Sequence, residues 1–444
     1  MTYVTTTDTW ISYFQALLGS ILCCTSMSGL NQLDNFINCW FHFMDQSNHL
    51  SNNSYTDICK NAASLAEKGV LEPYAFKWSM LTSLMYIASF FGAMMFPVSD
   101  KYGRKALITI SCVFCIIGTA CQAISFYFES YLLMEIGSLF VGLNGGSTVM
   151  IYPVYFVEIA PDSKKGLFGA SFMLGCNIGT SFALFVGLEW ILGKVDTWPW
   201  AIAVQIPFNF LHLVLIYFSV ESPTWLESVK TGSKPKEATM TKIKKLWSDP
   251  KLRAPLITSL TIRGFQLTSG VVAFTLFSLT ILQNIGVPTS VAVIVGLAIS
   301  ISSIFSSSLA GKMINSFGIR KSYLISAFGA FISVITFFIL HSFAGDNETL
   351  GYASVGALAV YAIFVNLGIM PIPFMLPAMW LPDEYKSVTT GLIAMFGFVL
   401  NVPFYYLLPF TLYKIKAYTF LIFACSIGAS FLCGYFKIVE RADI

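Results

Sequence analysis

Long apolar blocks recur along the whole chain, separated by short polar turns. Each is close to the about 20 residues that an α-helix needs to cross a bilayer. They fall near 12–30, 78–98, 106–126, 131–157, 167–191, 198–219, 256–283, 287–309, 322–342, 353–380, 388–411 and 417–437. The pattern predicts an all-α membrane protein with twelve transmembrane helices. These divide six and six around a Lys-rich stretch, Glu221 to Arg253, that contains Gly232, Ser233 and Pro235. The expected organisation is an N-terminal six-helix bundle over 1–220, a linker with short surface helices over 221–254, and a C-terminal six-helix bundle over 255–444. The halves echo one another. Asp100-Lys-Tyr-Gly-Arg-Lys105 follows the second block, and Asn315-Ser-Phe-Gly-Ile-Arg-Lys321 follows the eighth. Such repetition fits two bundles related by an axis along the membrane normal, with a solute held between them at mid-membrane.

Charge placement supplies an orientation. With both termini cytoplasmic, 19 of the 26 Lys and Arg fall in cytoplasmic segments: Lys101, Arg104, Lys105, Lys164, Lys165, eight from Lys230 to Arg253, Lys312, Arg320, Lys321, Lys386, Lys437 and Arg441. This asymmetry is the positive-inside signature. Met1 to Ile11 contain no Lys or Arg, unlike the basic start of a cleavable signal peptide. Hydrophobic residues make up 56% of the chain and charged residues 11%, less than half the charged share of a soluble domain. The small net charge of +3 implies no nucleic-acid partner. Two glycosylation acceptors, Asn52 and Asn347, both fall in expected outer loops. Cys39 and Cys59 share the first outer loop, an oxidising setting that allows a bridge between them. No Cys/His pairing has metal-ligand spacing, and no catalytic triad or nucleotide-binding glycine loop occurs, so neither an enzyme nor a cofactor is expected. His212, inside the sixth block, reads as a packed ring.

Several longer motifs carry a family resemblance. Gly142 to Gly179 contains Tyr152-Pro153-Val-Tyr155-Phe-Val-Glu158-Ile-Ala-Pro161 and Lys164-Lys165-Gly166, with Gly169, Gly175 and Gly179 following. Trp198-Pro199 opens the sixth block and Glu221-Ser222-Pro223-Thr224-Trp225-Leu226 follows it. The seventh holds Gln266-Leu-Thr-Ser269-Gly270 and the tenth Gly368-Ile-Met-Pro371-Ile372-Pro373-Phe374. The tail contains Phe436-Lys437-Ile-Val-Glu440. Over nearly its whole length the chain resembles the sugar-porter branch of the major facilitator superfamily, and within it the animal facilitative glucose transporters.

That resemblance implies the major facilitator fold, a small-molecule solute, a bilayer setting at the plasma membrane and function as a monomer. It implies a cytoplasmic gate of ion pairs from Arg104, Lys105, Glu158, Lys165 and Glu221, with Lys386 near the corresponding end of span ten. Gly368, Pro371, Pro373 and Pro377 interrupt span ten and read as a hinge. The second-half gate departs from the family, with Asn315, Ser316, Ile319 and Met379 at charged family positions.

The sugar ligands depart further. Gln266 matches, but Met173 and Leu267 stand where the family has Gln, Val272 where it has Asn, Asn366 where it has Glu, Phe374 where it has Trp, and Gly397-Phe398 where it has Asn-Trp. The substrate-site candidates are therefore Gln266, Asn366, Asn31, Met173, Phe374 and Phe398. In so apolar a site each unsatisfied hexose hydroxyl costs about 1–3 kcal/mol. Ser26 occupies the position of the Asp found in proton-coupled sugar porters, and Asp34 is expected at the solvated loop edge, so facilitated diffusion is expected. Arg263 lies inside span seven, where it could attract an anionic solute, pair with Glu135 of span four or reach the headgroups. The leading reading is a facilitative carrier with altered specificity. Its alternatives are an organic ion carrier and a transporter-like sensor that binds without translocating.

Overall fold

The computed structural model describes residues 6–30, 33–47, 55, 59, 72–188, 190–231, 239–271, 289–344, 348–415 and 418–438. Asn31, Asn52, Val272 and Asn347 lie outside them. Among the described residues the chain is helical without a strand. Ten helical stretches among the described residues are long and apolar enough to cross a membrane. One of them, Ile294–Phe343, has 50 residues and holds spans eight and nine. Helix Pro250–Thr268 begins span seven, which completes the twelve.

The repeat seen in the sequence has a backbone counterpart. Spans two and three meet at Gly103 (φ 102°, ψ 166°), and spans eight and nine meet at Gly318 (φ 82°, ψ 169°). Positive φ is the region that glycine enters without steric cost. A connection of about a dozen residues was expected between spans eight and nine. Instead the helix runs to Gly318 and resumes directly after it, because one left-handed glycine suffices to turn the chain. Span seven also starts earlier than its apolar block. The Asp249 carboxylate caps it by accepting from the Lys251 N–H (2.9 Å), with Pro250 at the first position, where its missing N–H costs nothing.

Packing inside each half is inverted relative to a soluble helix. In span six, Gln205, Asn209, His212 and Ile216 form the buried stripe at three- and four-residue steps, while Phe208, Leu211, Val214 and Phe218 are exposed. Lipid solvates the apolar face, so the polar groups turn inward where they find partners. The His212 ring bonds the Gln15 amide (2.8 Å) and the Tyr152 hydroxyl (3.1 Å) and is a packed ring as expected. Spans two and four approach closely: a Cβ at Gly142 would strike the Met85 carbonyl, and one at Gly146 the Ser89 carbonyl.

A helix at Asp34–Ser47 caps the first half at the end away from Gly103. It is tied by the Cys39–Cys59 disulfide and packs Trp40 against Trp198, whose indole donates to the Tyr55 hydroxyl (3.1 Å). Asp34 is half-buried here rather than solvated, and burial pushes its carboxyl up from 3.8 to about 6 although the Asn35 N–H partly opposes the shift. A raised carboxylate binds its proton more tightly in the folded state, so stability falls as pH rises from about 4 through about 6. Asp34→Asn should flatten that part of a thermal-unfolding profile between pH 4 and 8 and stabilise the protein at pH 7. An unchanged profile would show that the carboxyl is solvated.

Candidate functional site

Two features stand between and beneath the halves: a cavity and a charged cluster. The cavity, about 300 Å³, is walled by spans one, four and five from the first half and by spans seven, eight and ten from the second. Its polar centre is Asn177. The side-chain N–H groups of Asn177 donate across the divide to Ser307 Oγ of span eight (2.5 Å) and Asn366 Oδ1 of span ten (2.7 Å). Asn366 in turn donates to the Ala362 carbonyl (2.8 Å). Phe172, Met173, Met370 and Phe374 close the cavity on the side of the charged cluster, with Phe172 and Phe374 edge-to-face at 5.4 Å across the halves. Ser28, Thr180 and Ser303 add hydroxyls to the wall.

Asn366, Met173 and Phe374 therefore line the cavity. Gln266 stands behind the wall: its amide donates to the Met370 carbonyl (3.1 Å) and its Oε1 accepts from Arg263 Nη1. Phe398 is buried in a separate cluster with Ala93 and Ala394. Asn31 lies outside the described residues. Sequence reasoning passed over Asn177, although it follows Met173 by one helical turn and shares its face with Thr180 and Leu184. The serines at 300, 303 and 307 carry the same signal in span eight.

Arg263 explains several departures at once. Its guanidinium lies 4.3 Å over the Phe374 ring, beneath the cavity floor, and bonds Gln266. A Cβ at Gly397 would sit 2.8 Å from its Nε, so the glycine in span eleven leaves the room that the arginine fills. Glu135, one of the partners the sequence offered for Arg263, is one turn into span four, beside Tyr131, at the end opposite the charged cluster.

The charged cluster gathers where spans two, three and four end. Arg104 meets Glu158 in a two-pronged pair, Nε to Oε2 and Nη2 to Oε1, both 3.0 Å, with side-chain exposures of 5% and 0%. Its Nη1 reaches Ser99 O (3.3 Å) and Asp100 (3.5 Å). Glu221 accepts the backbone N–H groups of Arg104 (2.8 Å), Lys105 (3.1 Å) and Ser222 (2.8 Å). A side chain at Gly103 would occupy the space of that carboxylate. Burial raises the Glu221 carboxyl above its ordinary value, with these N–H groups and the Arg104 charge opposing. Lys105 donates to Tyr217 O and Ser219 O, both at 2.9 Å. The linker joins through Lys242 to Asp100 (2.8 Å) and Trp225 to Asp100 O (3.0 Å).

Lys165 and Lys386 stand apart from this cluster, paired with Asp162 (2.6 Å) and Asp383 (2.5 Å). The ion pairs described at this end thus lie within one half or join it to the linker. The halves meet here by other means. Asn315 donates to Ser163 O (3.0 Å), Gly311 packs on Leu167 and Gly391 on Phe96. Span ten breaks between Leu367 and Ile372. There Met370 N reaches back five residues to Val365 O (3.0 Å), and the second segment restarts on Pro371 with Pro373 in its first turn. Pro377 lies inside that second segment.

The sugar (and other) transporter family matches residues 16–242 and, separately, 227–443. The chain belongs to that family. It is 23% identical over 396 residues to the rabbit (Oryctolagus cuniculus) solute carrier family 2, facilitated glucose transporter member 3, covering 82% of this chain and 79% of the relative. The proton:xylose symporter XylE bound to 6-bromo-6-deoxy-D-glucose superposes with a TM-score of 0.74 at 16% identity, covering 98% and 96% of the two chains. An inward-open conformation of the E. coli xylose transporter XylE gives 0.66, also at 16% identity, covering 98% and 97%. The fold of this sugar-porter family member is the major facilitator fold. It is a multi-pass membrane transporter of the sugar-porter type, not an enzyme.

Proposed function

We propose that this porter carries a small neutral solute with a largely apolar body and few hydroxyls, by facilitated diffusion and alternating access. One observation carries the reading. Among the described residues that line the cavity none is charged, and the amides of Asn177 and Asn366 are its strongest hydrogen-bonding groups. A volume of about 300 Å³ is at the small end for ligand pockets. Arg263 sits below the floor against Phe374 and Gln266, so the wall offers no cation to an anionic solute. Ser26 at the coupling position argues for passive transport.

In this reading the chain divides into bundles at 1–220 and 255–444 joined by the linker at 221–254. The charged end faces the cytoplasm, and the protein works at the plasma membrane as a monomer. Arg104, Glu158 and Glu221 form a rigid clasp on the first half, while Asn315 and the glycine contacts close the inner side. Gly368 and Pro371 are the hinge of span ten. Uptake of radiolabelled solutes by surface-expressed protein tests the proposal. Saturable uptake of a weakly hydroxylated neutral solute, unaffected by a protonophore and exceeding that of glucose, is expected. Preferential uptake of a hexose, or of an organic anion with charge movement, would overturn it.

A further inference from the structure

On the membrane-facing side of the second half, spans seven and eleven part to leave an open groove of about 450 Å³. Ile257, Gly264 and Thr268 of span seven form one wall, Phe396 and Leu400 of span eleven the other, and Trp247 of the linker helix Thr239–Ser248 stands at one end. Thr261, also in the wall, donates its hydroxyl to Ile257 O (2.7 Å), and Thr268 donates to Gly264 O (3.1 Å). The Thr261 hydroxyl is thus turned back onto its own helix and the Thr268 hydroxyl also meets Ser426 Oγ of span twelve (2.5 Å), so both are satisfied within the protein and the groove is apolar in effect. Trp247 is 48% exposed and Ile257 45%. From Ile257 to Thr268 the groove runs about 16 Å at 1.5 Å per residue, close to the depth of one hydrocarbon leaflet, about half of 30 Å.

Charge gathers at one end of this groove. Arg253 precedes Ile257 by one turn on the same face of span seven, and Lys244 precedes Trp247 by three residues on the linker helix. Both are exposed, as is Lys251. The neighbouring carboxylate, Asp249, is turned to the Lys251 backbone N–H as the helix cap. An apolar channel of leaflet depth beneath a basic rim has the chemistry of a phospholipid with a negative headgroup.

We propose that this groove holds an acyl chain of an anionic phospholipid, with its headgroup on Arg253 and Lys244. The site adjoins the transport machinery. Gly264 follows Arg263, whose guanidinium is packed between Gly397 of span eleven and the Phe374 floor of the cavity. A lipid wedged between spans seven and eleven therefore bears on the helix pair that holds the floor in place.

Trp247 is a built-in reporter. The protein is reconstituted in phosphatidylcholine vesicles containing either dibrominated phosphatidylglycerol or dibrominated phosphatidylcholine. The Trp247-dependent quenching is the difference between the protein and Trp247→Phe. Phosphatidylglycerol should quench at lower mole fraction, by about fivefold for each basic residue engaged. Combining Arg253→Gln with Lys244→Gln should erase that preference, and Arg253→Lys should keep it. Thr261→Phe, which fills the groove, should remove quenching by both lipids. Equal quenching by the two headgroups would show an ordinary lipid shell and overturn the proposal. So would a preference that survives the double substitution, or stronger quenching by a brominated sterol than by either phospholipid.

Discussion

Arg104→Met is expected to destabilise the protein by about 3–5 kcal/mol, the cost of leaving one partner of a buried ion pair without the other. The Glu158 carboxylate has no exposed surface, and two of the Arg104 nitrogens grip it at 3.0 Å. With the arginine gone, that charge is buried among spans that cannot solvate it. Combining Arg104→Met with Glu158→Leu should recover most of the loss, because a desolvated ion pair and an apolar pair of similar volume are close in free energy. Reversible unfolding in mixed micelles would measure both. If the single variant loses less than about 1 kcal/mol, the pair is solvated and behaves as a surface bridge. Transport should separate from stability. The clasp also orients the Gly103 turn beneath Glu221, so the double variant should fold yet cycle slowly.

The spans, their number and the two-fold echo were legible in the sequence because they rest on block length and glycine placement, both local properties. The charged cluster was partly legible. Arg104, Glu158 and Glu221 converge as the family resemblance implied, but Lys165 and Lys386 turn to nearby carboxylates instead. Short-range pairs at three residues' separation need no tertiary alignment, and sequence motifs do not reveal which partner wins.

The solute site was the least legible part, for a spatial reason. Position-by-position comparison treated Gly397, Phe374, Gln266 and Arg263 as four separate departures or matches. In space they form one unit: the missing side chain at Gly397 admits the guanidinium, which stacks on Phe374 and draws Gln266 out of the wall. The cavity's polar centre then lies one helical turn along span five, at Asn177 rather than Met173. Nothing in a comparison of single positions marks such a shift, whereas the helical face shared by 173, 177, 180 and 184 does.

That shift yields the second large effect. Asn177→Leu should lower saturable uptake of the transported solute by about 10- to 100-fold, as losing one or two buried hydrogen bonds of about 1–3 kcal/mol each requires. The lost groups are the donors that reach Ser307 Oγ and Asn366 Oδ1 from the opposite half. Asn366→Leu should cost a similar factor. If the two amides act as one unit, the double variant should lose little more than either single one, since residues sharing a hydrogen bond couple strongly. Met173→Leu, at the floor but without a polar group, should change uptake by less than about threefold, in keeping with a volume-conserving apolar exchange. Additive losses at 177 and 366 would mean that the amides contact solute independently. Unchanged uptake in both single variants would remove Asn177 from the solute path and leave the cavity's polar centre a structural clamp between the halves.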